Sequence, residues 1–279
     1  MRQTDKYNPQ KFESVRFDIP WAKSKEEIWE SAFASLPMPD VAPKTRRFSM
    51  SFAYSSVAAV AAIVLMLAFS FVYKKTAVSP IASHLQVELP DGSTVLMNAE
   101  TSVSYKPLWW YIQREVNLDG EAFFKVKKGK RFAVKSHAAT TSVLGTTFNI
   151  YARKDGYEAT CLTGKVKVEP TTSKEVVVLT PHQKAVVASG HINQQAVAAE
   201  QSVAWSRSEF CFTSVELSKV FAEISRQYGV QIDCQTTFEE RYTGNFSRKM
   251  PIDKVLNLVC LPFGINFTAI NQNQYQISK

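Results

Sequence analysis

The stretch HLQVELPDGSTVLMN, residues 84–98, decides how the largest part of this chain folds. Apolar and polar residues alternate from His84 to Leu89, which is the two-residue period of a β-strand with one buried face. Asp91 and Gly92 follow as a turn signal, since glycine readily adopts the positive φ that a tight turn requires. The apolar pattern returns over Thr94–Asn98. The stretch therefore predicts a β-hairpin.

Short β-rich runs continue after the hairpin, and Gly or Pro separates most of them. They are Ser102–Tyr105, Arg114–Leu118, Ala122–Val126, Phe132–Lys135, Thr147–Arg153, Tyr157–Leu162, Lys165–Glu169, Val176–Leu179 and Ala185–Ala188. No helical pattern comes between these runs. Strands this short and closely spaced predict an all-β domain at residues 80–192. A Gln- and Ala-rich linker is predicted at 193–202.

Residues 203–279 have a different pattern, which predicts a small α+β domain. An amphipathic helix is expected over Val215–Tyr228, ended by Gly229, and a second helix over Pro251–Leu261 with proline at its first position. Strands are predicted at 209–212, 230–234, 242–246, 265–270 and 274–277. The predicted order is therefore β-α-β-β-α-β-β.

Upstream of the hairpin, no Asp, Glu, Lys or Arg occurs from Phe48 to Tyr73. About 20 helical residues, rising about 1.5 Å each, cross a hydrocarbon core of about 30 Å, so a single transmembrane helix is predicted at 49–73. A buried core helix would show a polar face, and a cleavable signal peptide would lie nearer the N-terminus. Three cations precede the run and two follow it, which favours a cytoplasmic N-terminus and periplasmic C-terminal domains.

Residues 1–48 are too few to bury a core of their own. Within them Ser24 and Glu27 have the spacing of a capping box, so a helix is predicted to begin there and to end before the prolines at 37 and 39. An apolar stripe follows the helical period; it consists of Ile28, Trp29, Phe33 and Leu36. With little else in the tail to pack against, the stripe is interpreted as a partner-binding face. Residues 39–47 are predicted to be a polar link.

Several function classes are disfavoured by the residues. The net charge of +8 is spread over both sides of the apolar run, which does not favour a nucleic-acid footprint. No nucleophile elbow, metalloprotease motif or phosphate-binding loop occurs, so an enzyme is improbable and no cofactor or metal site is expected. The cysteines, all after the run, are Cys161, Cys211, Cys234 and Cys260. Whether they form disulfides or remain thiols is open.

Three ordered motifs carry a family resemblance. They are Val87–Val95 with Asn98, Arg114–Val126 and Val143–Ile150. Together they resemble the FecR family of transmembrane anti-sigma regulators. Seven motif residues are interpreted as fold determinants rather than contact residues: Asp91, Gly92, Gly120, Glu121, Gly145, Thr146 and Phe148. Gly92 is interpreted as part of a tight turn, and Gly120 as the start of a new strand after a turn. Gly145 is interpreted as a close backbone approach within a strand.

Two further segments extend the resemblance. The run Trp205–Val230 looks like the small domain that follows in FecR-type proteins of the Bacteroidetes, which is akin to the short secretin and TonB N-terminal fold. Residues Pro20–Glu27 are similar to N-termini of that group. Where the family usually has a Pro-Gly-Glu turn, this chain has Pro181, His182 and Gln183.

The resemblance implies a single-pass inner-membrane regulator that relays a signal to the cytoplasm. Its tail at 1–48 would bind an extracytoplasmic-function sigma factor, and its periplasmic part would meet the signalling domain of a TonB-dependent outer-membrane transducer. Whether the cargo is a siderophore or a glycan, and whether the signal acts by proteolysis or by repositioning the tail, stays open. The alternative is a membrane-tethered periplasmic scaffold with no sigma-factor partner, although an inert tail would not need Trp29 and Phe33.

Overall fold

A computed structural model describes residues 23–37 and 50–279, with the backbone alone at 50–57. The polar link predicted at 39–47 lies outside these residues, as does the part of the N-terminal resemblance at Pro20 and Trp21. The chain divides into two units, Met1–Val57 and Ala58–Lys279.

The N-terminal unit contains helix α1, Lys25–Phe33, which begins with the predicted capping box. The Glu27 amide donates to Ser24 Oγ at 3.2 Å, and the Ser24 amide donates to Glu27 Oε2 at 3.0 Å. The helix ends with Ala34 as its C-cap, so Leu36 lies in the following turn and not on the helix, contrary to the prediction. The cause is Pro37, which disfavours helical geometry at the residue before it.

A second helix, α2, runs from Met50 to Val72 and coincides closely with the apolar run. Across the part of the chain that the structure describes, no helix has both the length and the apolar character needed to cross a membrane.

The all-β domain contains thirteen strands in one sheet. They are β1 (Lys75–Ser79), β2 (Leu85–Glu88), β3 (Thr94–Met97), β4 (Thr101–Tyr105), β5 (Arg114–Lys125), β6 (Phe132–Lys135), β7 (Ala139–Val143), β8 (Thr147–Arg153), β9 (Gly156–Thr163), β10 (Val166–Pro170), β11 (Val177–Leu179), β12 (Gln183–Ala188) and β13 (His191–Ala196). The main order is β11-β10-β7-β6-β5-β8-β9-β12-β13, while β1 and β2 join through β4 and β3. The predicted hairpin is present as β2 and β3.

Strand β5 is the centre of this sheet. Its first half pairs with β4 and β6, and its second half pairs with β3 and β8. The change occurs at Gly120, whose φ is +116°. The sequence predicts two strands here, at 114–118 and 122–126, with Gly120 and Glu121 opening the second after a turn; that prediction is wrong. A glycine in a strand interior instead lets one continuous strand bend from one half of the sheet to the other.

The core of the all-β domain lies between the two halves. Phe124 and Phe148 stack with ring centroids 5.0 Å apart, and both are fully buried. Trp110 is also fully buried and packs edge-on against Phe132, with ring centroids 5.9 Å apart. Aromatic pairs of this kind add to the free energy that burial alone provides.

The linker predicted at 193–202 is largely structured. Strand β13 extends to Ala196, and a 3-10 helix covers Ala199–Arg207 and buries Trp205. The sequence misses β13 because its HINQQA residues are mostly exposed on the sheet edge and show no apolar alternation. The substituted family turn keeps a left-handed residue, since His182 has φ +64° where glycine would be usual.

The C-terminal domain has the predicted element order. Its elements are β14 (Glu209–Glu216), α3 (Leu217–Tyr228), β15 (Gln231–Cys234), β16 (Arg241–Ser247), α4 (Ile252–Cys260), β17 (Asn266–Asn271) and β18 (Gln274–Ser278). Strand β14 pairs with β16, and β18 lies between β15 and β17. Both helices bury their apolar faces in a separate core, as at Phe221 and Leu256. Pro251 is the N-cap of α4 rather than its first residue.

Candidate functional site

Three of the four residues of the apolar stripe, Ile28, Trp29 and Phe33, lie on α1, and Leu36 lies in the turn that follows it. Trp29 is 66% exposed and Phe33 50% exposed, and their ring centroids lie 4.5 Å apart. Ile28 and Leu36 are exposed as well. Within the described residues 23–37, α1 buries no side chain. The two aromatic rings thus form one contiguous apolar surface that a partner can cover.

The first motif builds a turn through Asp91. Its carboxylate accepts from the amide and the hydroxyl of Ser93, each at 2.9 Å, and from the guanidinium of Arg114. Burial acts to raise the pKa of Asp91, but the hydrogen bonds from Ser93 and Arg114 outweigh it and hold the pKa below its ordinary value. Gly92 has φ +74°, as the sequence predicts for a tight turn.

The third motif fixes a close backbone approach. A Cβ on Gly145 would lie 2.6 Å from the Cα of Lys128, so only glycine fits there. The approach is confirmed, but Gly145 lies in the turn between β7 and β8 rather than in a strand. The neighbouring Thr146 donates its hydroxyl to the Lys165 carbonyl at 3.1 Å, and Phe148 enters the core.

Each motif contributes one residue to a buried polar cluster with Glu121 at its centre. The Asn98 amide group donates to Glu121 Oε2 at 2.8 Å, and the Asn149 amide group donates to Glu121 Oε1 at 2.9 Å. All three residues are buried. Because β3, β5 and β8 are neighbours in the sheet, the ends of three separate motifs come together at this point.

The cluster continues into helix α3 of the C-terminal domain. Gln227 Nε2 donates to Asn98 Oδ1 at 2.5 Å and to Glu223 Oε1 at 2.9 Å. Arg226 donates to the Glu223 carboxylate at 2.9 Å. Glu121 was interpreted from the sequence as a fold determinant alone; the structure also places it at the contact between the two domains.

The same contact holds the segment that follows β1. The Ala82 amide donates to the Arg226 carbonyl at 2.9 Å, and Arg248 donates to the Ala82 carbonyl at 2.6 Å. His84 Nε2 lies 3.2 Å from Gln227 Oε1. The C-terminal domain therefore holds residues 82–84 through hydrogen bonds to both the amide and the carbonyl of Ala82 and through the side chain of His84.

The two buried carboxyls of the contact are in different electrostatic situations. Burial, followed by the nearby Glu223 charge, raises the pKa of Glu121 to about 7. Burial also acts to raise the pKa of Glu223, but the charges of Arg226 and Arg153 outweigh it and keep that pKa below its ordinary value. The environment therefore favours the ionised form of Glu223 and the protonated form of Glu121.

Comparison with known proteins identifies the two domains. Residues 75–167 match the family described as FecR protein, and residues 209–277 match the family described as FecR, C-terminal. The two matches together cover more than half of the chain. The chain belongs to the FecR family. None of the curated proteins matches it significantly.

Two crystal structures resemble this FecR chain. Both are described as proposed anti-sigma factors from Parabacteroides distasonis. One has 27% sequence identity and a TM-score of 0.69, and the other has 28% identity and a TM-score of 0.68. Each comparison covers 74% of this chain and 99% of the crystallised chain.

A cavity of about 300 Å³ adjoins the contact between the FecR domain and the C-terminal domain. Convergent titratable groups in such a cleft would favour the enzyme alternative. Here Glu223 accepts a hydrogen bond from Arg226, and Asp155 accepts one from the Tyr151 hydroxyl at 2.8 Å. Among the described residues no cluster suited to a metal ion occurs. The geometry is that of a structural contact between domains.

The four cysteines are present as thiols. Cys161 and Cys260 are buried, and burial raises the pKa of each to about 11. Thiols with raised pKa values are poor nucleophiles at neutral pH, because the reactive form is the thiolate.

The partners of Glu121 across the domains leave only a weak trace in the sequence. Glu223 and Gln227 are four residues apart, so they share one face of an otherwise amphipathic helix. That spacing identifies a polar strip on α3, but not the residues it contacts.

Proposed function

We propose that this FecR-family chain is a single-pass anti-sigma regulator of the inner membrane. Its N-terminal tail binds an extracytoplasmic-function sigma factor in the cytoplasm through the exposed stripe of α1. Its FecR and C-terminal domains lie in the periplasm and receive a signal from the signalling domain of a TonB-dependent outer-membrane transducer. The proposed anti-sigma function of the Parabacteroides distasonis proteins supports this reading.

The observation that carries the proposal is the exposed pair of aromatic rings on α1. Large apolar side chains on a short helix are costly to leave in water, and their burial against a partner is a common source of affinity. The capping box adds to this, because it preorganises α1 and so lowers the entropy cost of binding. A scaffold with an inert tail gives no reason for either feature.

The membrane anchor rests on the amino-acid sequence. The uncharged run from Phe48 to Tyr73 is long enough for one crossing, and the flanking cations favour a cytoplasmic N-terminus. This topology would place the tail and the FecR domain on opposite sides of the bilayer. A signal must then pass through one helix.

The fold supplies a short route for that signal. Strand β1 begins at Lys75, three residues after α2 ends at Val72. Further along the chain, Ala82 is hydrogen-bonded to the C-terminal domain. A transducer that binds the C-terminal domain and favours its release from residues 82–84 would change the restraint on α2. Only a ligand that binds one of the two arrangements more tightly can shift their populations.

Two measurements test the proposal. Full-length protein in detergent micelles is titrated with purified extracytoplasmic-function sigma factors from the same cell, and one of them is expected to bind. Protease added to spheroplasts is expected to remove the C-terminal domains and to leave residues 1–48 protected. The reverse protection pattern would overturn the topology. If residues 1–48 are protected from the protease as expected but no sigma factor binds, the scaffold alternative stands.

A further inference from the structure

An exposed apolar loop follows strand β4, at residues 107–112. Leu108 is 57% exposed, Tyr111 75% and Ile112 73%. The neighbouring Trp110 is fully buried and holds the loop in place from within, against Tyr105 with ring centroids 5.5 Å apart. A rigid loop that presents several large apolar side chains together indicates an interaction site.

The sheet register places this loop beside the end of α2. Strands β1 and β4 are antiparallel, and Lys75 pairs with Tyr105. The loop begins two residues after Tyr105, and α2 ends three residues before Lys75, so both leave the sheet at the same end. The rings of Phe71 and Trp109 lie with their centroids 4.4 Å apart.

Basic residues lie on two sides of the loop. Lys74 and Lys75 follow α2, and Lys106 Nζ lies 5.1 Å from the centre of the Phe71 ring. Residues 125–131 carry further exposed cations and no acidic residue; they are Lys125, Lys127, Lys128, Lys130 and Arg131. Arg114, just after the loop, donates to the carbonyls of Lys127 at 3.0 Å and Lys130 at 2.6 Å, which ties this basic segment to the apolar loop.

We propose that the 107–112 loop inserts into the surface of the bilayer beside α2, with the basic segment 125–131 against anionic phospholipid headgroups. The inference rests on the proposed membrane anchor, because α2 is what brings the loop to the lipid. Trp and Tyr favour the membrane–water interface, and lysines are attracted to an anionic lipid surface. A lipid surface is the occupant that matches both the apolar tip and its basic surroundings at this place.

Insertion would give the FecR domain a fixed orientation on the membrane. Residues 107–112 lie directly after β4, which pairs with β1, so the strand leading out of α2 would be held at the lipid surface by its own neighbour. Movement of the C-terminal domain would then act on β1, whose end next to α2 is held at the lipid surface.

The test uses the full chain in liposomes of phosphatidylethanolamine and phosphatidylglycerol at 3:1, with and without lipids brominated near the headgroup. The contribution of Trp109 to fluorescence is obtained by subtracting the signal of Trp109→Phe. We expect brominated lipid to quench this contribution at least twofold. Tyr111→Asp combined with Ile112→Asp should abolish that quenching and increase quenching by acrylamide in water.

The matched control is Leu261→Asp, since Leu261 is also 73% exposed but belongs to the C-terminal domain. It should leave Trp109 quenching unchanged. Flotation of the liposomes after a carbonate wash reports the anchor separately. Flotation without lipid quenching of Trp109, including the case where Trp109 is shielded from acrylamide by protein, overturns the loop insertion and leaves the anchor. Loss of the chain from the liposomes overturns both.

Discussion

Glu121 combines a motif position with a buried carboxyl whose pKa is about 7. Both of its oxygens accept hydrogen bonds, and the protonated form would need an acceptor for its O–H. The Oδ1 atom of Asn149 is buried and has no partner within the described residues. Rotation of the Asn149 amide by half a turn would present this oxygen to a protonated Glu121, since carboxamide O and N positions are interchangeable in shape.

Replacement Glu121→Gln should remove a pH dependence from the free energy of unfolding. The folded pKa of Glu121 is raised from 4.5 to about 7, so the folded protein binds more protons than the unfolded chain between these values. Stability from this group is therefore present below pH 4.5, is lost as the pH rises towards 7, and changes little above 7. The variant should be more stable than the native chain at pH 8, by a few kcal/mol at most, and close to it at pH 5.

Denaturant unfolding at the two pH values measures this effect. His84, whose pKa burial lowers, contributes with the opposite sign below pH 6.5, but it titrates in both proteins and cancels in the difference. An equal difference between the native chain and Glu121→Gln at pH 5 and pH 8 would show that Glu121 is ionised throughout.

Replacement Gly145→Ala should destabilise the FecR domain by about 2 kcal/mol, in the range for forcing extra volume into a packed site. The reason is the backbone of Lys128, which would lie 2.6 Å from the new Cβ and belongs to a strand connection that cannot move independently. The control is Gly156→Ala, because nothing lies within 4 Å of its Cβ position. Thermal unfolding of both variants makes the comparison, and equal midpoints would show that the Lys128 backbone yields freely.

At the level of single residues, the sequence predicts local geometry well and contacts poorly. The positive φ of Gly92 follows from its turn motif alone. Glu121 and Gln227 are far apart in the chain, and a single sequence does not show which side chains meet after folding. Gly120 is an intermediate case. The sequence indicates that a glycine is needed there, but it does not distinguish a bend within one strand from a turn between two strands.

At the level of elements, helix α1 offers the sharpest mutational test. We expect Trp29→Ala or Phe33→Ala to weaken binding of the cognate sigma factor by about 2 kcal/mol or more, in the range of interface hot spots. Either variant would remove one of the two rings, whose centroids lie 4.5 Å apart. Titration of the full-length variants with the sigma factor measures the change.

Glu30→Ala is the control on the same helix, since Glu30 is exposed and lies outside the stripe. It should leave the affinity within about 0.5 kcal/mol. Transcription of target genes is a less direct readout, because a tail that also assists its sigma factor would reverse the sign. Unchanged affinity in the double variant of Trp29 and Phe33 would remove α1 from the mechanism.

Periodicity is a good guide to elements that have one buried face and a poor guide to the rest. Helix α3 was predictable because its apolar residues follow the helical period and Gly229 ends it with φ +70°. Strand β13 is polar on both faces at the sheet edge, so residues 193–196 look like linker. The 3-10 helix at 199–207 is too short to establish a period, although Trp205 signals burial.

At the scale of the whole chain, the order of segments carries functional weight. Strand β1 and residues 82–84 follow the end of α2 within about a dozen residues, so the C-terminal domain contacts the chain close to the end of α2 although it is last in the sequence. Composition and motifs predict the two domains, but not that the second folds back onto the beginning of the first. The polar contact around Gln227 lies where the two domains meet.

Replacement Gln227→Ala should loosen this contact without unfolding either domain. Gln227 is 2% exposed, and its amide group joins Asn98 to Glu223, so its loss removes two buried hydrogen bonds, one of them to a charged group, at a cost of about 1–3 kcal/mol. The Ala82 amide is the natural reporter, because its hydrogen bond to the Arg226 carbonyl exists only while the domains are docked. Its hydrogen exchange should accelerate at least tenfold, which corresponds to about 1.4 kcal/mol.

The matched control is Ser218→Ala, an exposed position on the same helix, which should leave exchange at Ala82 unchanged. Core amides such as that of Phe124 in β5 should stay protected in both variants, since the two cores are separate. Faster exchange at Ala82 and Phe124 together would mean global destabilisation instead of undocking. Unchanged exchange at Ala82 would mean that the bonds of Ala82 to the Arg226 carbonyl and the Arg248 guanidinium hold the domains without Gln227, and the proposed signal route would then have to bypass the polar cluster.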